Sequence, residues 1–153
     1  MKKIASFTVN HDKLQKGMYV SRIDGDVVTY DIRMKTPNAG DYLTNGALHT
    51  FEHLFATYAR NSALSDAVIY VGPMGCRTGF YFLLRDSVSR AEALRLVQES
   101  FAFIEAFEGE IPGSRREECG NYLEHELPGG EAVAADMGKV LADWSPEKMD
   151  YEA

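Results

Sequence analysis

Two histidines and a glutamate, arranged as His-x-x-Glu-His, limit the folds open to this chain; they are His49, Glu52 and His53. The surrounding segment is rich in leucine, alanine and phenylalanine, lacks proline, and can be capped by Thr44 or Asn45, so it predicts a helix. Residues four positions apart share one face of a helix, so both imidazoles can reach a single metal ion. The glutamate lies on nearly the same face, where its carboxylate is placed for acid–base chemistry. The pattern therefore predicts a metal centre on this helix.

A third ligand must come from another segment, because a catalytic site of the zinc type has three protein ligands and one open position. The candidates are two thiols, one histidine and three acidic residues: Cys76, Cys119, His125, Glu124, Glu126 and Glu131. Cys119 is favoured because it lies in a polar, glycine-containing loop, where a thiol has no packing role. His125 stands between two glutamates and is interpreted as an exposed side chain.

Cys76 is unusual for a different reason. It follows the turn-forming run 72–75 and precedes Arg77, so it is predicted to lie at a tight bend between two strands. A thiol held on a rigid bend beside a cation favours the reactive thiolate. A small residue chosen only to fit the turn is the alternative explanation.

The β-rich segments predict a mainly antiparallel sheet. Runs at 18–23 and 27–34 flank Asp24-Gly25-Asp26, which is typical of a hairpin, and further runs cover 66–71 and 77–85. The run 6–11 has the alternation of a short strand.

The helical segments complete an α+β prediction. The histidine helix is expected to end near residue 61 or 62, and a second helix follows a capping box at Ser89 and ends near Gly109. A last helix is predicted within 123–143, after a break at 128–130, and the polar tail from Trp144 is expected to fray. We predict one α+β domain over residues 1–153, with a mainly antiparallel sheet packed against helices.

Charge and composition exclude several classes of partner. The net charge is −7 and no run of lysines or arginines occurs, so neither nucleic acid nor a membrane surface is expected as a partner. No apolar run approaches the ~20 residues of a membrane span, and the start of the chain lacks the hydrophobic core of a signal peptide. Two cysteines are too few for a disulfide framework. These features favour a cytoplasmic protein with free thiols.

Five separated segments together resemble a known family. They are Ser6 with His11, the run 31–33, the run 48–54 around the two histidines, the run 73–81 around Cys76, and the run 119–122. In this order they resemble S-ribosylhomocysteine lyase, the LuxS family, which makes the precursor of autoinducer-2. The resemblance extends over most of the chain, from Ser6 to about Leu141.

The resemblance implies roles for eight residues. His49, His53 and Cys119 would bind the metal, Glu52 and Cys76 would be the acid–base catalysts, and Ser6, His11 and Arg33 would line the substrate pocket. It also implies one divalent metal per subunit, natively Fe²⁺ with Zn²⁺ or Co²⁺ able to replace it. The expected assembly is a homodimer with active sites at the interface, and the expected fold is the metalloenzyme fold shared by LuxS and processing peptidases.

The implied reaction explains why these groups are needed. The family cleaves S-ribosylhomocysteine to homocysteine and 4,5-dihydroxypentane-2,3-dione, the autoinducer-2 precursor of quorum sensing. A carbonyl must migrate along the ribose until it is β to the sulfur, and only then can elimination break the carbon–sulfur bond. A divalent cation stabilises the enediolates formed on the way, and two groups move protons at adjacent carbons.

Two interpretations from other classes remain open from the residues alone. His-x-x-Glu-His is also the signature of inverzincin-type zinc peptidases, whose third ligand here would be Glu124, Glu126 or Glu131. A non-enzymatic metal-binding module would have a fourth ligand, for which His125 is the candidate. The chain also departs from the LuxS family at Tyr70, where members commonly carry an aspartate, so details of substrate binding are expected to differ.

Overall fold

The computed structural model describes residues 1–152 and contains one four-stranded sheet with three helices. The strands are β1 (Gly17–Asp24), β2 (Val27–Arg33), β3 (Val68–Pro73) and β4 (Gly79–Arg85), and the helices are α1 (Asn45–Arg60), α2 (Arg90–Glu105) and α3 (Leu127–Leu141). The strand order is β1-β2-β4-β3, and each neighbouring pair is antiparallel. The predicted α+β fold is confirmed, as are the hairpin predicted at 24–26 and the tight bend predicted between two strands at Cys76.

The sheet turns one apolar face towards the helices because its side chains alternate. In β4, Phe80, Phe82 and Leu84 are fully buried, and the residues between them are half-buried on the opposite face. From α1, the ring of Phe51 lies 5.2 Å from that of Phe80, and the ring of Phe55 lies 4.9 Å from that of Phe82. These contacts fix the rotation of α1 and leave the histidine positions on its flank.

The predicted helix signals are present at the helix ends. The Thr44 hydroxyl accepts the backbone N–H of Ala47 at 3.3 Å and caps α1, and Ser89 and Glu92 form the capping box of α2. Among residues 1–152, no helix combines the length and the apolar character needed to cross a membrane.

Two predictions of local secondary structure were wrong. The run 6–11 forms no strand; Ala5–Phe7 is a 3₁₀ helix, because a run with few apolar side chains gains little by joining a sheet. The run 128–130 does not break the chain but lies in the first turn of α3. Pro128 is tolerated there because the first N–H groups of a helix have no intrahelical partner.

The tail after α3 packs instead of fraying. Trp144 donates its indole N–H to the Met18 carbonyl at 2.8 Å, and Met149 is fully buried. Tyr151 donates its hydroxyl to the Asp31 carboxylate at 2.7 Å. The prediction failed because a few large side chains anchor this mostly polar segment across β1 and β2, which local composition does not reveal.

Candidate active site

His49 and His53 lie one turn apart on α1 and point into one space. Their ring centroids are 4.6 Å apart and their planes are nearly perpendicular. His49 Nδ1 donates to the Glu124 carbonyl at 2.8 Å, and His53 Nδ1 donates to the Pro112 carbonyl at 2.9 Å. Because a carbonyl only accepts, each Nδ1 carries the proton and each Nε2 keeps a lone pair free for a metal.

Both carbonyls belong to the segment 106–126, which connects α2 to α3 and crosses the flank of α1; we call it the ligand loop. The ligand loop also carries Cys119, whose Sγ lies 3.4 Å from His49 Nε2. The thiol is half-buried and free, and its backbone N–H donates to the Arg115 carbonyl at 3.1 Å. The third ligand favoured by its sequence context therefore lies beside the two histidines.

His125 completes this cluster and is not the exposed side chain that we expected. Its ring stacks on that of His49, with centroids 3.9 Å apart and planes 21° apart, and its Nδ1 lies 3.1 Å from the Thr50 hydroxyl. Burial, together with the neighbouring His49 and His53, lowers the pKa of His125 to about 4. Flanking glutamates hide this position in the sequence, because the contact exists only when the ligand loop folds back onto α1.

His49, His53 and Cys119 fit a single divalent metal, and His125 lies beside them. One ligand atom from each of His49, His53, Cys119 and His125 lies within 4.8 Å of the others. Imidazole nitrogen and thiolate sulfur are the ligands that zinc and related transition metals prefer. Nε2 of His125 is buried without a hydrogen-bond partner among residues 1–152, which indicates that a group absent from the protein itself completes the cluster.

Glu52 stands next to this cluster. Its Oε1 lies 4.0 Å from His53 Nε2, and its side chain is half-buried. It borders a depression of about 340 Å³ that is also bordered by His53, Tyr70 and Gly113. The carboxylate can thus reach both a metal held by the histidines and a molecule bound in the depression.

Cys76 belongs to a second group of side chains, at the turn between β3 and β4. Its exposed Sγ lies 3.1 Å from the Thr78 hydroxyl, which accepts a hydrogen bond from Arg33 at 2.8 Å. Since a guanidinium only donates, the Thr78 proton remains available for the sulfur.

Arg33 itself is 3% exposed and forms a two-pronged pair with the buried Asp31 carboxylate, at 2.7 and 3.2 Å. Burial opposes the guanidinium charge, but the Asp31 carboxylate outweighs it and raises the pKa of Arg33. Burial and the same carboxylate raise the pKa of Tyr151. The Arg33 guanidinium is thus a fixed positive charge that two successive hydrogen bonds, through the Thr78 hydroxyl, connect to Cys76.

The remaining predicted pocket residues lie near the amino end. Ser6 borders a depression on the sheet face away from the helices, together with Tyr70 and Tyr81. His11 is half-buried, with Nδ1 2.9 Å from the Val9 carbonyl. Tyr70 is 54% exposed and borders both depressions, the one with Ser6 and the one with Glu52. It therefore lies between Ser6 and the metal cluster.

The glutamates required by a peptidase do not occupy the ligand positions. Glu124 contributes its backbone carbonyl, not its carboxylate, to His49. The cluster contains the thiol of Cys119 in the place where a peptidase of this type would have an acidic ligand.

Comparison with known proteins agrees with this geometry. The family described as S-Ribosylhomocysteinase (LuxS) matches residues 4–148. The chain is 52% identical to an S-ribosylhomocysteine lyase of Phocaeicola vulgatus, over 99% of this chain and 98% of the relative. It is 52% identical to one of Porphyromonas gingivalis and 44% identical to one of Clostridium acetobutylicum, over 99% of each chain in both cases. This chain therefore belongs to the S-ribosylhomocysteinase (LuxS) family.

Proposed function

We propose that this chain, acting as a single domain, is a lyase that cleaves S-ribosylhomocysteine to homocysteine and 4,5-dihydroxypentane-2,3-dione. The observation that carries the proposal is the pairing of a His49–His53–Cys119 cluster with two separate proton-transfer groups. Glu52 lies beside the cluster, and Cys76 lies in an exposed turn with its own supporting charge. A hydrolytic peptidase needs the first group but has no use for the second.

The chemistry divides between the two groups. A metal held by His49, His53 and Cys119 supplies Lewis-acid polarisation of the sugar oxygens. Cys76, as thiolate, takes a carbon-bound proton and returns it at the neighbouring carbon, which moves the carbonyl along the ribose. Glu52 transfers protons among the hydroxyls and, in the last step, takes the proton from the carbon next to the carbonyl and delivers a proton to the departing sulfur as the carbon–sulfur bond breaks. Each carbonyl shift is redox-neutral, so no external oxidant or reductant is needed.

Ser6, His11 and Arg33 are the proposed substrate-binding residues. Ser6 lies on the depression that Tyr70 separates from Glu52, and the hydrogen bond from Arg33 through Thr78 brings a fixed cation to the turn of Cys76. We infer that the hydroxyl-rich sugar and the amino-acid end of the substrate extend between these groups. Tyr70 then offers a neutral phenol where the family commonly has a carboxylate.

A second copy of the chain is the proposed partner, with the active sites at the interface. The sheet face away from the helices is incompletely covered, and apolar side chains are exposed on or near it: Ile4 at 55%, Phe7 at 68% and Tyr70 at 54%. Exposed apolar side chains grouped in this way are typical of a protein–protein contact. Ser6 lies within this face, so a homodimer formed through it would bring Ser6 of one chain close to the other chain.

The proposed resident metal is Fe²⁺, which Zn²⁺ or Co²⁺ can replace, because two imidazoles and one thiolate suit all three ions.

Both cysteines are free, which agrees with a reducing compartment, and we propose the cytoplasm. The dione product is the proposed precursor of autoinducer-2, which would link the enzyme to quorum sensing and to the recycling of homocysteine in the methyl cycle.

The two cysteines provide a matched test. Thiol release from S-ribosylhomocysteine and metal content are measured under anaerobic conditions for the wild type, Cys76→Ala and Cys119→Ala. We expect Cys76→Ala to keep one metal per chain but to release no thiol, and Cys119→Ala to lose both the metal and thiol release. Unchanged release by Cys76→Ala, or full metal content in Cys119→Ala, would contradict the assigned roles.

A further inference from the structure

His125 meets the metal cluster with a ring nitrogen that has no protein partner. Among the side chains of residues 1–152, its Nε2 is the buried nitrogen or oxygen that lacks a hydrogen bond. The ring is fixed on both sides, because Nδ1 contacts the Thr50 hydroxyl and the ring face stacks on His49. A fixed, buried and unpartnered polar atom is expected to be satisfied by a bound molecule.

The hydrogen bonds of Thr50 decide which ring nitrogen carries the proton. Its hydroxyl accepts the backbone N–H of Glu126 at 2.9 Å, so its own proton remains to be donated. Within residues 1–152 the acceptor that the structure provides is Nδ1 of His125, at 3.1 Å. With Nδ1 as the acceptor, Nε2 of a neutral imidazole carries the proton and is a donor.

The arrangement of the rings also separates His125 from the metal ligands. Two imidazoles bound to one tetrahedral ion, each about 2.1 Å from it, keep their centroids about 5 Å apart. His53 lies near this distance from both other rings, 4.6 Å from His49 and 4.8 Å from His125, whereas His49 and His125 are 3.9 Å apart with nearly parallel planes. Parallel stacked rings do not converge on one ion, and His49 is the one of the two whose Nε2 lies 3.4 Å from Cys119 Sγ, so His49 is the ligand and His125 lies beside the metal position.

We propose that His125 donates its Nε2–H to a sugar oxygen of the substrate at the open side of the metal centre. Negative charge develops on such an oxygen each time the carbonyl migrates, and a preorganised buried donor stabilises that charge more in the transition state than in the ground state. His125 is then a third polar group acting on the sugar, in addition to Glu52 and Cys76. This inference rests on the proposed lyase function.

The test compares His125→Asn with His125→Gln in protein loaded with Co²⁺. The asparagine amide can keep the contact with Thr50 but has no donor near the Nε2 position, whereas the glutamine amide can place an N–H there. We expect kcat for thiol release to fall about 100-fold in His125→Asn with little change in KM, and to recover substantially in His125→Gln. Metal affinity, measured by competition with a chelator, and the visible Co²⁺ spectrum are expected to match the wild type in both variants.

Three results would overturn the inference, and they differ from one another. Unchanged kcat in His125→Asn would remove any role in the reaction. A loss of metal affinity of tenfold or more, with an altered Co²⁺ spectrum in both variants, would make His125 a metal ligand. A wild-type protein that binds Co²⁺ but releases no thiol would refute the proposed function itself, and with it this inference.

Discussion

At the scale of single residues, side-chain hydrogen bonds determine which atoms are available for chemistry. The carbonyls of Pro112 and Glu124 hold the Nδ1 protons of His53 and His49, which leaves both Nε2 atoms for a metal. The Arg33 side chain similarly orients the Thr78 hydroxyl towards Cys76. Such orientation is visible only in the structure, since each contact joins residues far apart in the chain.

Replacing Thr78 with valine tests the second of these arrangements. The change keeps the buried shape but removes the hydroxyl that connects Arg33 to Cys76. One hydrogen bond contributes about 0.5–1.5 kcal/mol, so we expect alkylation of Cys76 and kcat to fall roughly 2- to 10-fold. Alkylation is followed by mass spectrometry of the peptide that contains residue 76, in metal-loaded protein. Thr78→Ser is the control; equal alkylation rates in the two variants would show that the hydroxyl does not act on the sulfur.

At the scale of elements, the metal site depends on the ligand loop lying against α1. Gly113 has a φ of +71°, and a Cβ added there would lie 3.1 Å from His53 Nδ1, so the loop approaches the histidine as closely as a glycine allows. The loop thus positions His53 through a backbone carbonyl and a close backbone contact at once.

Gly113→Ala is expected to weaken metal binding about tenfold. A non-glycine residue in the left-handed region costs about 1–2 kcal/mol, and here the added methyl also presses on the His53 ring. The matched control is Gly109→Ala, at φ +105°, where an added Cβ meets nothing within 4 Å. Both variants should lose thermal stability, but only Gly113→Ala should lose metal affinity in a chelator competition. Equal affinities would refute the positioning role of this contact.

Much of the site was accessible from the sequence at this scale. The spacing of His49, Glu52 and His53 follows from helical geometry alone, and the polar surroundings of Cys119 singled out the thiol that lies beside the two histidines. His125 could not be found in this way, because its neighbours are charged and its environment is created by the return of the ligand loop to α1. The prediction of a fraying tail failed for the same reason, because Tyr151 and Met149 form hydrogen bonds to strands that are distant in sequence.

At the scale of the whole molecule, the sheet face away from the helices is the proposed contact with a second copy. Leu83→Glu places a charge on this face, next to the depression that Ser6 borders. We expect the variant to sediment as a monomer and to lose most of its activity while keeping its metal, because an unpaired charge is costly in an interface. Ile23→Glu is the control. Ile23 is also exposed, but it is paired with Val28, whose side chain faces the helices, so it lies on the other face of the sheet. A dimeric Leu83→Glu would refute this interface.

Tyrosines also make the whole molecule sensitive to alkali. Burial is the main cause that raises the pKa of Tyr19, Tyr30, Tyr81 and Tyr151 above their ordinary value of 10.0. The unfolded chain therefore loses these protons first, so the stability that these four tyrosines contribute is fully present below pH 10 and is lost as the pH rises above it. Tyr151→Phe should remove one proton from this linkage, about 1.4 kcal/mol per pH unit above pH 10. Thermal unfolding between pH 8 and 11 measures the difference; parallel curves for both proteins would contradict it.

The reaction proposed for this protein is the cleavage of the carbon–sulfur bond in a sugar thioether. The most direct measurement is the amount of homocysteine and of dione released from S-ribosylhomocysteine by anaerobically purified, metal-loaded wild-type protein. We predict equimolar release of both products, with continued turnover and without any added redox reagent. Release of neither product by protein shown to contain one metal per chain would contradict the claim.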